Sequence, residues 1–212
     1  LSHIDTLDFR KIVIKGDDHS RRDTFKLEEY DRLVRYMRTY VSKRACPDET
    51  ERMERMLVRD AILVASNTML RVGELWNLKW KDILQIKQIF DEDEKRISLV
   101  TINVRSEISK TRKQRRITVR GDEYIERIRC RATNTEPEDF VFCAVGKKTK
   151  QLRIFWYKHW SVLMAAIDID YKKRNLTWYS LRHFGITCRI CAQVKLSDIS
   201  KLAGTSVSHI ET

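Results

Sequence analysis

The chain has 212 residues, enough for one sizeable core at about 100–200 residues per domain. Hydrophobic residues make up 42% and charged residues 34%, and no apolar run approaches the roughly 18–20 residues of a membrane span, so the chain reads as neither a disordered acidic tail nor a membrane protein. Lys and Arg number 42 against 30 Asp and Glu, and the net charge of +12 favours polyanionic partners. Six Gly and two Pro, about 4% of the chain against a usual 12% or so, leave few turn formers for an all-β fold.

Residues 1–23 carry a short apolar patch, Phe9 to Ile14, then the charged stretch Lys15 to Asp23, and read as an interdomain arm or linker. From Leu27 the apolar positions Leu27, Tyr30, Leu33, Val34, Met37, Tyr40 and Val41 step by 3, 3, 1, 3, 3, 1, one face of an amphipathic helix that Cys46-Pro-Asp-Glu breaks. Met53, Met56, Leu57 and then Ala61 to Ala65 predict a second helix, apolar all round as a central buried helix would be, ending at Asn67-Thr68. A short helix spans about 71 to 78. The β-rich runs Ile97 to Val104 and Arg116 to Val119 flank the polar segment Arg105 to Arg115, which predicts a hairpin with a long basic tip. Helical patterns return at about 122–131, 151–167, 180–193 and 197–202, the last stopped by Gly204.

Several local patterns carry no chemistry. Five scattered cysteines, an odd count, point to reduced thiols and a cytosolic compartment. Cys188-Arg-Ile-Cys191 has no second pair to complete four zinc ligands. Gly146-Lys-Lys-Thr149 lacks the earlier Gly of a phosphate loop, with Val141 in its place. Phe155, Trp156 and Trp160 sit at helical spacing, where core packing is the default. The stretch Leu196 to Glu211 can be written as a helix, an Ala-Gly turn and a second helix capped by Ser206, the pattern of a helix-turn-helix reader of DNA. Short helix pairs with a Gly turn are also common packing units, the more frequent reading of such a stretch taken alone.

Three basic boxes lie upstream of that stretch. In Met69-Leu-Arg71-Val-Gly-Glu74-Leu, Arg71 opens a helix and Glu74, one turn on, can hold its guanidinium. Ser109-Lys110-Thr-Arg112-Lys113-Gln-Arg115 occupies the hairpin tip. Thr177-Trp-Tyr179-Ser-Leu181-Arg182-His183 places Tyr179 and Arg182 at i, i+3 of a helix start. Taken singly these are a surface ion pair, a solvated loop and a stray Arg.

In this order, and together with Leu202-Ala-Gly-Thr205-Ser206, the boxes resemble the tyrosine recombinases, the family of phage integrases and related site-specific DNA recombinases. Their pattern is Arg-x-x-Glu-Leu after a buried helix, a Lys in a β-hairpin, His-x-x-Arg, Leu-Gly-His/Trp-Ser and a nucleophilic Tyr. Arg71, Lys110 and Arg182 match it, Leu181 and His183 fit the common context, and the resemblance covers about residues 24–212. Tyr179 stands where the family usually has His, and Thr205 where it has His or Trp; some phage-type integrases resemble this version. The family's Tyr falls about ten residues after the last Gly. Only eight residues follow Gly204, so the nucleophile is expected beyond Thr212.

The resemblance implies a mainly α catalytic domain with a small antiparallel β-sheet at residues 24–212, with an upstream core-binding domain outside this chain. It implies cleavage and rejoining of DNA through a 3′-phosphotyrosyl intermediate. Arg71 and Arg182 would neutralise phosphate charge, Glu74 would hold Arg71, and Lys110 would protonate the leaving oxygen, with Tyr179, His183 and Thr205 completing the site. Arg112, Lys113 and Arg115 would bind DNA. No cofactor or metal is implied. Double-stranded DNA and a homotetramer on DNA are the expected partners, in the cytoplasm or on the nucleoid. The rival readings are a non-catalytic DNA-binding protein, either a degenerate recombinase or a helix-turn-helix regulator, and more weakly a basic RNA-binding module, disfavoured because no exposed aromatic stacking motif is evident.

Overall fold

The computed structural model describes residues 23–90 and 96–211. Of the arm expected at residues 1–23, residues 1–22 lie outside the described residues, and only Asp23 is seen. Arg174 binds Asp23 (2.5 Å), the Thr24 carbonyl (3.0 Å) and Glu29 (2.6 Å), tying the start of the domain to the loop before the helix that carries Arg182.

Helix α1 (Leu27–Tyr40) follows the expected periodicity, with Glu28 and Glu29 in its first turn and Leu33, Met37 and Tyr40 buried. Acids there complement the positive end of the helix dipole, and Glu29 also accepts the Lys26 N–H at 2.8 Å. Helix α2 (Glu49–Thr68) begins earlier than Met53, because Asp48 caps it by accepting the Glu51 N–H at 2.7 Å. Its centre, Val58, Ala61, Ile62, Val64 and Ala65, is buried as a central helix requires. Asp60 is buried as well, and its carboxylate is taken by Arg59, Arg127 and Arg131. Met69 closes α2 in the left-handed conformation, and α3 (Val72–Trp76) starts at once.

A 3-10 turn (Trp80–Asp82) leads into a three-stranded antiparallel sheet in the order β1 (Ile83–Phe90), β2 (Arg96–Val104), β3 (Arg115–Arg120). The expected hairpin is β2–β3, paired from Leu99↔Arg120 to Val104↔Arg115. Strand β1 escaped the sequence reading. Its isoleucines, Ile83, Ile86 and Ile89, recur every third residue, and a register shift between Ile83 and Gln85 breaks the alternation that marks a strand.

Helices α4 (Asp122–Arg131), α5 (Arg153–Ala166), α6 (Trp178–Cys191), α7 (Leu196–Ala203) and α8 (Ser208–Glu211) complete the domain. The boundaries of α4 to α7 fall within a few residues of those expected. α2 packs on α4 and α6, α1 on α5, and α7 on α6 and β3. Trp156 and Trp160 are fully buried core residues, and Trp76 of α3 stacks on Trp156 of α5 at 5.7 Å while meeting Trp178 of α6 edge-on. This aromatic wedge fixes α3, and with it Arg71, against α6. α2 and α6 approach closely at Gly185, where a Cβ would lie 2.2 Å from the Ser66 carbonyl oxygen.

Candidate active site

All three boxes, the second through Arg115 alone, meet the Gly204 turn at one point, the C-terminal end of α7. The last carbonyls of a helix have no intrahelical partner and carry the negative end of its dipole, so they attract cations. Here each takes a different guanidinium. Leu202 O accepts from Arg115 Nε (3.3 Å), Ala203 O from Arg182 Nη1 (2.7 Å), and Gly204 O from Arg71 Nη2 (2.6 Å). Arg182 Nη1 also donates to Met69 O at 2.5 Å, the residue that ends α2. Two helix ends thus hold three arginines, two of which share a single carboxylate.

That carboxylate is Glu74, which is 1% exposed. It accepts the Arg71 backbone N–H (2.9 Å) and Arg71 Nη1 (3.0 Å), and Arg115 grips it with a two-pronged fork, Nη1 at 3.0 Å and Nη2 at 2.7 Å. Burial alone would raise the Glu74 pKa, but the hydrogen bonds and charges of Arg115 and Arg71 outweigh it and hold the carboxyl below its ordinary value. The expected Arg71–Glu74 partnership is therefore present, and partly buried rather than a surface pair. Arg182 is 3% exposed. Burial first, and then the like charge of Arg71, lower its pKa. A guanidinium nonetheless stays charged near neutral pH. Arg182 directs Nη1 to two carbonyls, and Arg71 directs Nη1 to Glu74 and Nη2 to Gly204 O, so that Nε of each guanidinium stays outside these bonds.

Lys110 is exposed on the loop between β2 and β3, beside the buried Ser109, whose N–H bonds Arg105 O at 3.2 Å. Arg105 in turn anchors to Asp82 at 2.8 Å, so the stem of the loop is fixed while its tip stays open to solvent. Arg112 and Lys113 are exposed on the same tip. Arg115 departs from its expected place among them. It opens β3 rather than crowning the tip, and its guanidinium turns inward to Glu74 and Leu202. The signal was in the strand alternation, because Ile117 and Val119 are buried and Arg115 shares their parity, whereas Arg116 points to solvent.

Tyr179 lies in the first turn of α6, its ring 4.9 Å from that of His183 and beneath the Arg182 guanidinium, 6.0 Å from ring centroid to Cζ. Thr205 follows Gly204 directly, with its backbone N–H bonded to Ser200 O at 3.1 Å and its carbonyl accepting Ser200 Oγ at 2.5 Å. The structure thus gathers Arg71, Glu74, Arg115 and Arg182 at the end of α7, with Thr205 next in the chain, Tyr179 beside Arg182 and His183 beside Tyr179, and leaves Lys110, Arg112 and Lys113 exposed on the loop before β3. An apolar concavity lined by Met53, Leu57, Ile128 and Val141 includes none of them. Sequence reasoning missed the α7 carbonyls, which are backbone groups and leave no trace in residue identity.

Residues 24–210 match the Phage integrase family. The fold is similar to that of the XerH site-specific recombinase in a pre-cleavage complex with difH substrate (TM-score 0.64, 17% identity, 89% of this chain and 49% of that one). It is also similar to the Tn1549 transposon integrase in complex with a circular intermediate DNA (TM-score 0.60, 12% identity, 92% of this chain and 62% of that one). At such identities the likeness is one of fold, and this chain spans about half of the XerH chain and under two thirds of the Tn1549 integrase chain. No curated protein matches the sequence. The family match over nearly the whole described chain agrees with the order of the boxes and with the helical fold around a three-stranded sheet, and the chain belongs to the phage integrase family.

Proposed function

We propose that this domain catalyses site-specific cutting and rejoining of DNA by a tyrosine mechanism. The observation that carries the reading is the presentation of Arg71 and Arg182 from the end of α7, each held by backbone carbonyls on one edge with donors remaining on the other. Such an edge suits the non-bridging oxygens of a phosphodiester, which guanidinium groups bind through paired hydrogen bonds. Holding the arginines before DNA arrives means that little reorganisation accompanies charge development in the transition state.

In this reading a tyrosine encoded beyond Thr212 attacks phosphorus and gives up its phenolic proton to water, the P–O5′ bond breaks, and a 3′-phosphotyrosyl link forms. Lys110 gives its proton to the departing 5′-oxygen, a role suited to an exposed lysine on a loop whose stem is anchored. Rejoining reverses these steps, with the energy of the cleaved bond kept in the phosphotyrosine. Tyr179, where the family usually has His, and Thr205, where it has His or Trp, act as hydrogen-bonding groups to the phosphate, and His183 supports Tyr179. Arg112 and Lys113 contact the DNA backbone, residues 1–23 serve as the arm to a further DNA-clamping domain, and four protomers assemble on DNA in the cytoplasm. No helix among the described residues is long and apolar enough to cross a membrane.

The test is a nicked duplex carrying the protein's own recombination site, mixed with the full-length protein. A covalent adduct that survives denaturation, with a free 5′-hydroxyl on the released strand, is expected. DNA binding without any adduct refutes catalysis and favours the degenerate DNA-binding reading. An adduct formed by residues 1–212 alone refutes the placement of the nucleophile and points first to Tyr179.

A further inference from the structure

Arg115 resembles a DNA ligand in the sequence, at the end of a run of basic residues, and behaves as something else in the fold. It is 13% exposed. Three of its donors are used inside the protein, two in the fork on Glu74 and one on Leu202 O. The space it fills is reserved for it, because a Cβ on Gly204 would lie 2.6–2.8 Å from the guanidinium Cζ, Nη1 and Nε. Gly204 is thus the floor on which Arg115 lies, as well as the left-handed residue that turns the chain toward Thr205.

The consequence falls on Arg71. A carboxylate offers about four lone-pair sites and readily accepts a bidentate arginine. Glu74 gives two of its four bonds to Arg115 and one to the Arg71 backbone N–H, so the Arg71 side chain receives only one. With Arg115 absent, the freed oxygens of a carboxylate that is 1% exposed would have one guanidinium left to satisfy them. Arg71 would turn onto Glu74 as a fork, leave Gly204 O, and lose the edge it presents to phosphate.

We propose that Arg115 is a positioning residue that occupies Glu74 so that Arg71 stays aimed at the scissile phosphate, and that it makes no phosphate contact of its own. This rests on the recombinase reading given above. It requires Arg rather than Lys, since a single ammonium cannot grip both carboxylate oxygens and reach Leu202 O at once.

The experiment compares Arg115→Gln, Arg115→Lys, Arg71→Ala and Lys113→Ala in the full-length protein, with rates referred to the DNA-binding-competent fraction. Salt dependence of duplex affinity reads direct phosphate contact, because each neutralised phosphate contributes about 0.9 to the slope of log K against log salt. Arg115→Gln is expected to leave that slope unchanged while lowering the single-turnover cleavage rate roughly 10–100-fold, approaching the loss of a charge stabiliser. Arg115→Lys is expected to be slow as well.

Replacing one non-bridging oxygen of the scissile phosphate by methyl removes the charge that Arg71 neutralises. On that substrate Arg115→Gln and Arg71→Ala should each recover most of their deficit, a rescue that general destabilisation would not show. A slope reduced by Arg115→Gln as much as by Lys113→Ala overturns the proposal, as does wild-type cleavage by Arg115→Lys or a deficit that the methyl substrate leaves untouched. A wild-type protein that binds duplex but forms no adduct refutes the recombinase reading instead, and the salt slope then still decides whether Arg115 touches phosphate.

Discussion

Replacing Gly204 by Ala tests the junction on which the site is built. Two costs arise at once. Gly204 has φ +64°, and a left-handed backbone costs a residue with a Cβ about 1–2 kcal/mol. The new methyl would also sit 2.6 Å from Arg115 Cζ, so the guanidinium must leave its fork on Glu74, a charge-assisted contact worth about 1.5–3 kcal/mol. Together these amount to roughly 2.5–5 kcal/mol, and at about 2–4 °C per kcal/mol for a domain of this size the melting temperature should fall by about 5–20 °C. Gly146 supplies the internal control. It has φ +69° with nothing within 4 Å of the place a methyl would take, so Gly146→Ala should show the backbone cost alone. Calorimetry of Gly204→Ala, Gly146→Ala, Arg115→Ala and the Gly204→Ala/Arg115→Ala pair separates the two costs. In the Arg115→Ala background the penalty at Gly204 should shrink to that at Gly146. Equal penalties at the two glycines in the wild-type background, or a Gly204 penalty that persists without Arg115, would refute the packing account.

Other expectations concern the core, its titration and the loop. Gly185→Ala would place a Cβ 2.2 Å from Ser66 O on backbone that cannot swing aside, so α2 and α6 must separate; a loss of about 1–3 kcal/mol or more is expected in urea unfolding. His159 is buried with its Nδ1 2.6 Å from the Tyr40 hydroxyl, and burial, aided by the Lys158 and Arg55 charges, lowers its pKa to about 4. Because the folded state then binds fewer protons than the unfolded one, stability should fall as pH drops from about 6.5 toward 4, by about 3 kcal/mol in all. His159→Phe should remove that part of the pH dependence, and an unchanged slope in acid titration would assign it elsewhere. For Lys110, replacing the leaving 5′-oxygen by sulfur removes the need for a proton. Cleavage by Lys110→Ala should then recover most of a roughly 10²–10⁴-fold loss on normal DNA, while Arg182→Ala should not. Rescue of both or neither would move the acid role to another base such as Lys113.

The sequence by itself determined most of what is periodic. Helices α1, α2, α4, α5, α6 and α7 and the β2–β3 hairpin follow from side-chain spacing, because an amphipathic element writes its buried face into the order of residues. The ordered boxes around Arg71, Lys110 and Arg182 were enough to point to the family. Strand β1 left no such record, since an edge strand with one mostly solvated face and a register shift has little apolar alternation to show. The tertiary structure alone decided how the arginines are used. Leu202, Ala203 and Gly204 reveal nothing of their carbonyls in their side chains, yet those carbonyls sort three guanidinium groups of similar sequence context into different tasks. Arg71 and Arg182 keep donors for a ligand, whereas Arg115, adjacent to the basic tip and indistinguishable from its neighbours by composition, is turned inward because strand parity and a glycine floor leave it a place beside Glu74. Hydrogen bonds between side chains and distant backbone depend on where helices end in space, and no local pattern of residues records that.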